Sequence, residues 1–517
     1  MAAEVSTSCS LVELLAELPG ARLEGEPSLR ITGVEHDSRQ VRPGHLFVAL
    51  PGQRVDGHAF LEAAAAAGAV AAVVEREAPR GRLSALVRVP EAREALARLA
   101  ARFWRHPTRA LRLVGVTGTN GKTTLTYLVE QVVRAAGGSP GVIGTVEVRF
   151  AGQRQDSQHT TPMATELQAL FARMRAAGVS HAIMEVSSHA LELQRVRGCD
   201  FEVAAFTNLS RDHLDFHGDL ERYAAAKALL FSRELMESQA PRRTAVVNRD
   251  DERAERMLRD HRGPVLGFSR RGPADVCVEG PVHQGLDGIR ARVRCPAGAL
   301  ELASPLTGAH NLENLLTAVA VACALELPVE VIQAGLAACA RVPGRLERVP
   351  VAGGPAVFVD YAHTDDALRN VLGALRPLTR GRLWAIFGCG GDRDRGKRPL
   401  MGAAVARGAD VAVVTSDNPR TEEPDAIIAQ ILPGLEREGF ARCELAALAG
   451  RSRAYAVVPD RRAAIRGALA ITRPEDVVLV AGKGHENYQI VGREKHDFDD
   501  LQEARLALEA QRGGRAE

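Results

Sequence analysis

At 517 residues with an apolar share of 46%, the chain is folded but too long for one hydrophobic core, so two to four domains are expected. Its 66 basic and 64 acidic residues nearly cancel, which argues against a nucleic acid as partner and leaves any anion site to a local cluster. The eight cysteines, without a CxxC pair or dense framework, suit a reducing compartment. No run is long enough to cross a membrane, and the N-terminus, with Glu4, Glu13 and Glu17, lacks a basic-then-apolar signal, so a soluble cytoplasmic protein without membrane insertion is expected.

In chain order, a small α/β unit comes first, with a strand over 45–50 and an Ala-rich segment over 59–67 leading into the apolar run 70–74. The next strand, 110–116, is followed by a Gly-rich turn over 117–122. Leu125, Leu128, Val129, Val132 and Val133 then show helical spacing, ended by Gly137 and Gly138. Thr161 and Pro162 open a helix that places Leu167, Leu170, Phe171 and Met174 on one face, and a buried strand, 182–186, follows. After Pro343 the pattern restarts with apolar runs at 357–359, 383–387, 411–415 and 477–480, each ending in a polar or Gly-rich loop. The expected class is α/β with three domains. These are a small α/β domain (1–108), a central parallel-sheet domain with a phosphate loop (109–342) and a doubly wound C-terminal domain (343–517).

Between the strand 110–116 and its helix lies Gly115-Val-Thr-Gly-Thr-Asn-Gly-Lys-Thr-Thr124, the context a phosphate loop requires. Gly118 and Gly121 let backbone N–H groups turn toward a polyphosphate, and the helix N-terminus adds partial positive charge. Lys122 supplies a full charge, and Thr123 reaches Mg²⁺. The expected ligand is ATP or GTP. Glu185, at the end of the strand 182–186, is placed as a carboxylate ligand for that metal.

Val116 stands where the general GxxxxGK[ST] pattern has its first glycine. The resulting Gly-Thr-Asn-Gly-Lys-Thr resembles the Mur ligase family, as do Thr207-Asn-Leu-Ser-Arg-Asp-His-Leu-Asp-Phe-His-Gly218 and Tyr223-Ala-Ala-Ala-Lys227. The resemblance implies ATP bound by Gly118, Thr119, Asn120, Gly121, Lys122, Thr123 and Thr124. It also implies Lys122, His213 and Lys227 as catalytic residues, His213 at a second Mg²⁺ and Lys227 carbamylated by carbon dioxide. His310-Asn-Leu-Glu-Asn314, Pro343-Gly-Arg345 and Asp360-Tyr-Ala-His363 resemble the family's nucleotide-contacting stretches, which places Asn314, Arg345 and Asp360 on ATP. Asp365 stands where the family usually has proline.

The substrates follow from the same likeness. His36-Asp-Ser38-Arg39 and Gly52-Gln53 resemble the uridine-diphosphate-binding stretches of the family's tripeptide-forming members. Thr160, Thr161, Ser187 and Arg195 match those that hold the muramoyl dipeptide. Gly390-Gly-Asp-Arg393, Asp417-Asn418-Pro419-Arg420 and Gly482-Lys-Gly-His-Glu486 match the diaminopimelate-adding members. The guanidinium of Arg420 suits the one carboxylate by which diaminopimelate exceeds lysine. The expected reaction joins meso-diaminopimelate to the D-glutamate carboxylate of UDP-N-acetylmuramoyl-L-alanyl-D-glutamate through an acyl phosphate. The enzyme is expected to be monomeric, with small molecules as its partners. The alternatives are a sibling ligase such as folylpolyglutamate synthetase, and a nucleotide-dependent switch.

Overall fold

Short runs rich in Val, Ile, Ala and Leu become fully buried strands throughout, the pattern of sheets covered by helices on both faces. The computed structural model describes residues 8–52, 55–351 and 353–513. Its first unit comprises Met1–Cys277, Arg294–Leu300 and Leu315–Gly335, and its second Val278–Val293, Glu301–Asn314 and Leu336–Glu517. The eight cysteines form no disulfide, and among the described residues no helix is long and apolar enough to cross a membrane.

The first unit opens with a sheet ordered Arg22–Gly25, Ala85–Arg88, Ala71–Val74, His45–Val48, Gly33–Glu35, parallel except for Arg22–Gly25. The helix Ala92–Phe103 packs Leu96, Leu99 and Phe103 into the core of this sheet, and the Glu91 side chain caps its first turn. A second, parallel array follows in the order Pro140–Ile143, His181–Glu185, Arg112–Thr117, Phe201–Phe206, Thr244–Asn248, Val265–Ser269.

Two boundaries shift from the sequence reading for local reasons. The strand read as 110–116 begins at Arg112 because Pro107–Ala110 is a single tight turn, tied down by Thr108 Oγ1 donating to Asp200 (3.0 Å). The helix read from Thr161 begins at Ala164, because the Thr161 hydroxyl is committed to the carbonyl of Glu185 (2.8 Å) and the amide of Ser187 (3.1 Å). Several strands went unread in the sequence, among them Phe201–Phe206 and Thr244–Asn248 in the parallel array and the three consecutive strands Val276–Gly285, Gly288–Cys295 and Gly298–Ser304. In the second of these three Ile289, Ala291, Val293 and Cys295 point inward in strict alternation.

In the second unit Glu347–Arg348, Ala356–Asp360, Val477–Ala481, Leu383–Phe387, Val411–Val414, Ala454–Val457 and Ala441–Arg442 lie side by side. All are parallel except Glu347–Arg348. One face is packed by Leu368, Leu372, Met401 and Ile431, the other by Ile465, Leu469 and Leu508. Because the central strands are parallel, the loops after Asp360, Phe387, Val414 and Ala481 all leave from one edge, where ligands of doubly wound sheets collect. Asp365, in the family's proline position, is the first residue of the helix Asp365–Leu375, capped by Thr364. A carboxylate there complements the helix dipole where proline would supply only its fixed φ, so the substitution leaves the helix start intact.

A fully buried ion pair ties the last helix to this sheet. Arg461 Nε and Nη2 each donate to Asp500 at 2.7 Å, and Nη2 also donates to the carbonyl of Ala481 (2.9 Å). Removing one partner strands the other charge in the core. Asp500→Ala should therefore destabilise this unit by about 3–5 kcal/mol in denaturant unfolding. The double variant Arg461→Met/Asp500→Leu should lose less; a larger loss in the double variant would contradict this account.

Candidate active site

The phosphate loop leaves the strand Arg112–Thr117 through Gly118, whose φ of +146° is open to glycine and rarely to other residues. A Cβ at this position would lie 1.9 Å from Thr207 Oγ1, so close packing as well as conformation demands glycine. The segment 207–210 holds the loop from the other side. The Thr119 amide donates to Asn208 O (2.9 Å), the Asn120 amide to Asn208 Oδ1 (3.0 Å) and the Thr207 hydroxyl to Asn120 O (2.6 Å). Gly121, at φ +86°, starts the helix Lys122–Ala135, and a helix N-terminus that opens directly from such a loop is where anionic phosphate groups bind.

Two lysines meet on one oxygen. Lys122 Nζ donates to the carbonyls of Gly118 and Thr119, both at 2.9 Å, and Lys227 Nζ donates to the same Gly118 carbonyl at 2.9 Å. Lys227 comes from the helix Leu220–Leu229, capped by Asp219, and is 1% exposed. Burial, reinforced by the charge of Lys122, pushes its amine well below the usual lysine range. Tyr223, one helical turn before it, lies under Lys227 Nζ (4.4 Å to the ring centroid), and its hydroxyl hydrogen-bonds Thr119 Oγ1 (3.2 Å).

Glu185 is buried at the end of its strand. Its Oε1 accepts from the Thr123 hydroxyl (3.0 Å) and the Thr145 amide (2.9 Å), and its Oε2 accepts from the Thr145 hydroxyl (3.0 Å). Thr145 Oγ1 also hydrogen-bonds Thr160 Oγ1 (3.0 Å), which links the phosphate loop to the muramoyl-dipeptide residues read from the sequence. Of these, Thr161 is bonded to Ser187 as described above, and Arg195 Nη1 donates to the Thr161 carbonyl (2.9 Å). Burial, together with the neighbouring Arg93, depresses the Arg195 pKa. Two guanidiniums brought together in this way suit an anion.

His213, at φ +53°, is half-exposed and stacks edge-on against His189 (4.9 Å between centroids). Burial lowers the pKa of His213 and pushes that of His189 down to about 4, so both rings favour the neutral form that a metal requires. His217 Nε2 reaches Ser188 Oγ at 2.9 Å. His36 and Ser38 lie on the turn after Gly33–Glu35, in a different sheet from the phosphate loop, and Gln53 lies outside the described residues. Among the described residues no cluster of three or more His, Cys, Asp and Glu could hold a metal.

In the second unit the Arg345 guanidinium lies over the Tyr361 ring (5.1 Å). Asp360 spends both oxygens on backbone amides, Oδ2 accepting from Leu346 (2.6 Å) and Oδ1 from Ala362 (2.8 Å). Burial raises its pKa, opposed by Arg345. Asn314 is buried and donates to Asn311 Oδ1 (3.1 Å). Arg420, at φ +53° after Pro419, is a bulky residue in the left-handed region, where strain is kept only if the surroundings enforce it. They do so here. Its amide donates to Ile490 O (3.1 Å), the Gly492 amide to Arg420 O (2.7 Å), and Arg420 Nη1 to Gly391 O (2.8 Å), which sets the guanidinium beside the Gly390–Arg393 loop. Arg393 itself is exposed. The loop is braced from below by fully buried Arg398, whose Nη1 and Nη2 donate to the two oxygens of Glu422 (3.0 and 2.8 Å). Asn418 and Glu486 are joined at 2.8 Å, and Gly482, at φ +119°, leaves its strand directly against Asp417.

The sequence reading did not assign Thr145, Tyr223, Arg398 or Lys483. Tyr223 had a signal in its i, i+4 spacing to Lys227, and Lys483 lay inside a quoted motif. Thr145 had none.

A glycine-turned loop opening a helix beside a buried carboxylate marks a protein that binds a nucleoside triphosphate and acts on its phosphates. Residues 30–104 match the model for the Mur ligase family catalytic domain, residues 116–322 that for the Mur ligase middle domain, and residues 344–484 that for the Mur ligase glutamate ligase domain. The chain belongs to the Mur ligase family. It is 47% identical to the UDP-N-acetylmuramoyl-L-alanyl-D-glutamate–2,6-diaminopimelate ligase of Gloeobacter violaceus, over 97% of this chain and 98% of that one. It is 46% identical to the Geobacter metallireducens enzyme of the same name, over 94% and 95%. A solved structure of a ligase of that name superposes with a TM-score of 0.71 at 34% identity, covering 98% of this chain and 99% of that one.

Gly118→Ala should weaken ATP binding at least about tenfold in calorimetric titration while leaving far-ultraviolet circular dichroism unchanged, because the added methyl must displace either the loop or Thr207. Native affinity would show that the contact is dispensable.

Proposed function

We propose that the chain is an ATP-dependent ligase of peptidoglycan synthesis that adds meso-diaminopimelate to UDP-N-acetylmuramoyl-L-alanyl-D-glutamate. The observation that carries this reading is the 46–47% identity, over nearly the whole chain, to enzymes named for that reaction. The site supplies a chemical rationale for it. The reading includes a cytoplasmic, monomeric enzyme whose partners are small molecules.

The γ-phosphoryl group of ATP passes to the D-glutamate γ-carboxylate, giving ADP and an acyl phosphate. The diaminopimelate amine then attacks the acyl carbon, forming the amide and releasing phosphate. The loop amides and Lys122 bind the phosphates and offset charge that grows on the transferring group. Thr160, Thr161, Ser187 and Arg195 orient the dipeptide, and His36, Ser38 and Gln53 hold its uridine diphosphate end. Asn314, Arg345 and Asp360 serve ATP, with Asp360 shaping the loop through the amides of Leu346 and Ala362.

The donors present at Thr123 and Glu185 are all oxygens, which fits a hard cation such as Mg²⁺. Mg²⁺ bound there supplies charge neutralisation on the phosphoryl oxygens. The setting of Lys227 also fits a carbamate. Carbon dioxide reacts only with a neutral amine, and burial beside Lys122 favours that form. Once made, the carbamate is an anion next to the Lys122 cation instead of a second cation. His213 and this carbamate are the ligands assigned to a second Mg²⁺.

Arg420, Arg393, Asp417, Asn418, Pro419, Gly482 and Glu486 form the amino-acid site, and Arg420 takes the extra carboxylate. A substrate lacking the polar group a site was built to pair is rejected by roughly 10⁴-fold or more, so lysine should be excluded. ATP-dependent phosphate release in the presence of the muramoyl dipeptide is therefore expected with meso-diaminopimelate and not with L-lysine, and should be lost in Arg420→Ala. Equal release with lysine would overturn the specificity, and release without any amino acid would point to a nucleotide switch. For Lys227, ¹³C NMR after equilibration with labelled bicarbonate should show a carbamate resonance that is missing in Lys227→Met. A native spectrum without it would remove the carbamate from the mechanism.

A further inference from the structure

Lys483 lies in the Gly482–Glu486 segment and is fully buried, although it is charged and no role has been assigned to it. Its Nζ reaches Asn418 Oδ1 (3.1 Å) and Glu486 Oε2 (3.2 Å). Asp417 Oδ1, which has no hydrogen bond among the described residues, is 3.9 Å away. A buried lysine amine is tolerated when such acceptors surround it. Lysine has three N–H donors and no acceptor when charged, so the atom of Asn418 facing it must be the carbonyl oxygen. The amide of Ile490 donates to that same oxygen (2.9 Å). Both acceptor positions of Asn418 Oδ1 are thus occupied, and Nδ2 is turned to donate to Glu486 Oε2 (2.8 Å).

This arrangement decides what the pair offers a ligand. Asn418 has only its second Nδ2–H left, which suits an acceptor such as a carboxylate. Glu486 receives both its hydrogen bonds on Oε2, which leaves Oε1, on a half-buried side chain, to accept from an ammonium. The lysine also sits on a stiff support. A Cβ on Gly344 would come within 2.2 Å of the His485 amide nitrogen, and the Tyr361 amide donates to Gly344 O (2.9 Å). Gln489 Nε2 donates to Asp417 O (2.7 Å), which holds the strand Tyr488–Val491 against the same loop.

Resting on the proposed reaction, we propose that Lys483 is a positioning residue for the incoming amino acid, which locks Asn418 as a donor and Glu486 as an ammonium acceptor and so orients the ammonium and carboxylate groups of one amino-acid centre. Its Nζ meets Asn418, Glu486 and the Tyr488 ring, and none of the residues assigned to ATP or to the muramoyl dipeptide. Its loss should therefore appear in the KM for the amino acid and leave the other two substrates alone.

The test compares native protein, Lys483→Met, Lys483→Gln and Glu486→Gln in the phosphate-release assay, with KM measured for each substrate in turn. Met removes the donors while keeping the chain length, and Gln keeps an NH₂ group. In Lys483→Met the KM for meso-diaminopimelate should rise by about 30-fold or more, as expected when a buried charged partner is removed. KM for ATP and for the muramoyl dipeptide should stay within about twofold, and Lys483→Gln should recover most of the loss. Combining Lys483→Met with Glu486→Gln should cost little more than the worse single change, because the lysine acts through that carboxylate. An unchanged diaminopimelate KM in Lys483→Met overturns the proposal. So does a parallel rise in all three KM values, since that is the mark of a purely structural lysine. If Lys483→Met does not fold, Lys483→Gln decides, since its shorter side chain restores the hydrogen bonds only in part: a diaminopimelate KM raised alone supports the proposal, and one that is unchanged or raised together with the other two overturns it. A native enzyme that turns over a different amino acid would sink the assigned reaction, and the same KM comparison made with that amino acid would still decide the role of Lys483.

Discussion

Lys122 and Lys227, brought from two helices, both donate to the carbonyl oxygen of Gly118. Everything in the first unit's site is arranged around that junction. Only a glycine packed against Thr207 lets the loop present its carbonyl there, and only a buried helix face brings Lys227 to it. Burial lowers the proton affinity of Lys227, and repulsion from the Lys122 ammonium that shares its acceptor lowers it further. The packing that forms the phosphate loop therefore also sets the reactivity of a lysine more than a hundred residues away.

The second unit uses a different device. Its central parallel strands bring four polar loops to one edge, and the buried pair Arg461–Asp500 and the partly exposed pair Arg398–Glu422 clamp those loops to the sheet. Buried ion pairs contribute little net stability compared with apolar packing, but they tolerate only one geometry. Here the geometry holds Arg420 in a backbone conformation it would rarely adopt alone, with its guanidinium beside the Gly390–Arg393 loop.

The polar side chains divide between those that keep hydrogen-bonding atoms available and those that spend them on the loops. Asp360 belongs to the second kind by its bonds, with both oxygens accepting from amides, and Asn418 belongs to both. Motif reading places such residues in the right loop and leaves open which of their atoms remain available. The three strands between Val276 and Ser304 went unread although their alternation was visible, because the surrounding rhythm of apolar runs and helices is that of a parallel sheet.

Taken alone, the sequence determined the α/β class, some of the parallel strands to within a residue or two, the phosphate loop and its helix, and the motifs that mark the family. All of these are local, written in runs of a few residues whose period or glycine placement has one physical reading. The tertiary structure alone decided that Thr161 would be spent on Glu185 and Ser187 in place of capping a helix, that Thr145 would anchor Glu185, that Lys227 would lie buried beside Lys122, and that Lys483 would donate to Asn418. Each of these depends on pairing groups far apart in the chain, 109 residues in the case of Lys227 and Gly118 and 65 in that of Lys483 and Asn418. Whether a buried polar atom finds a partner is a property of the packed fold.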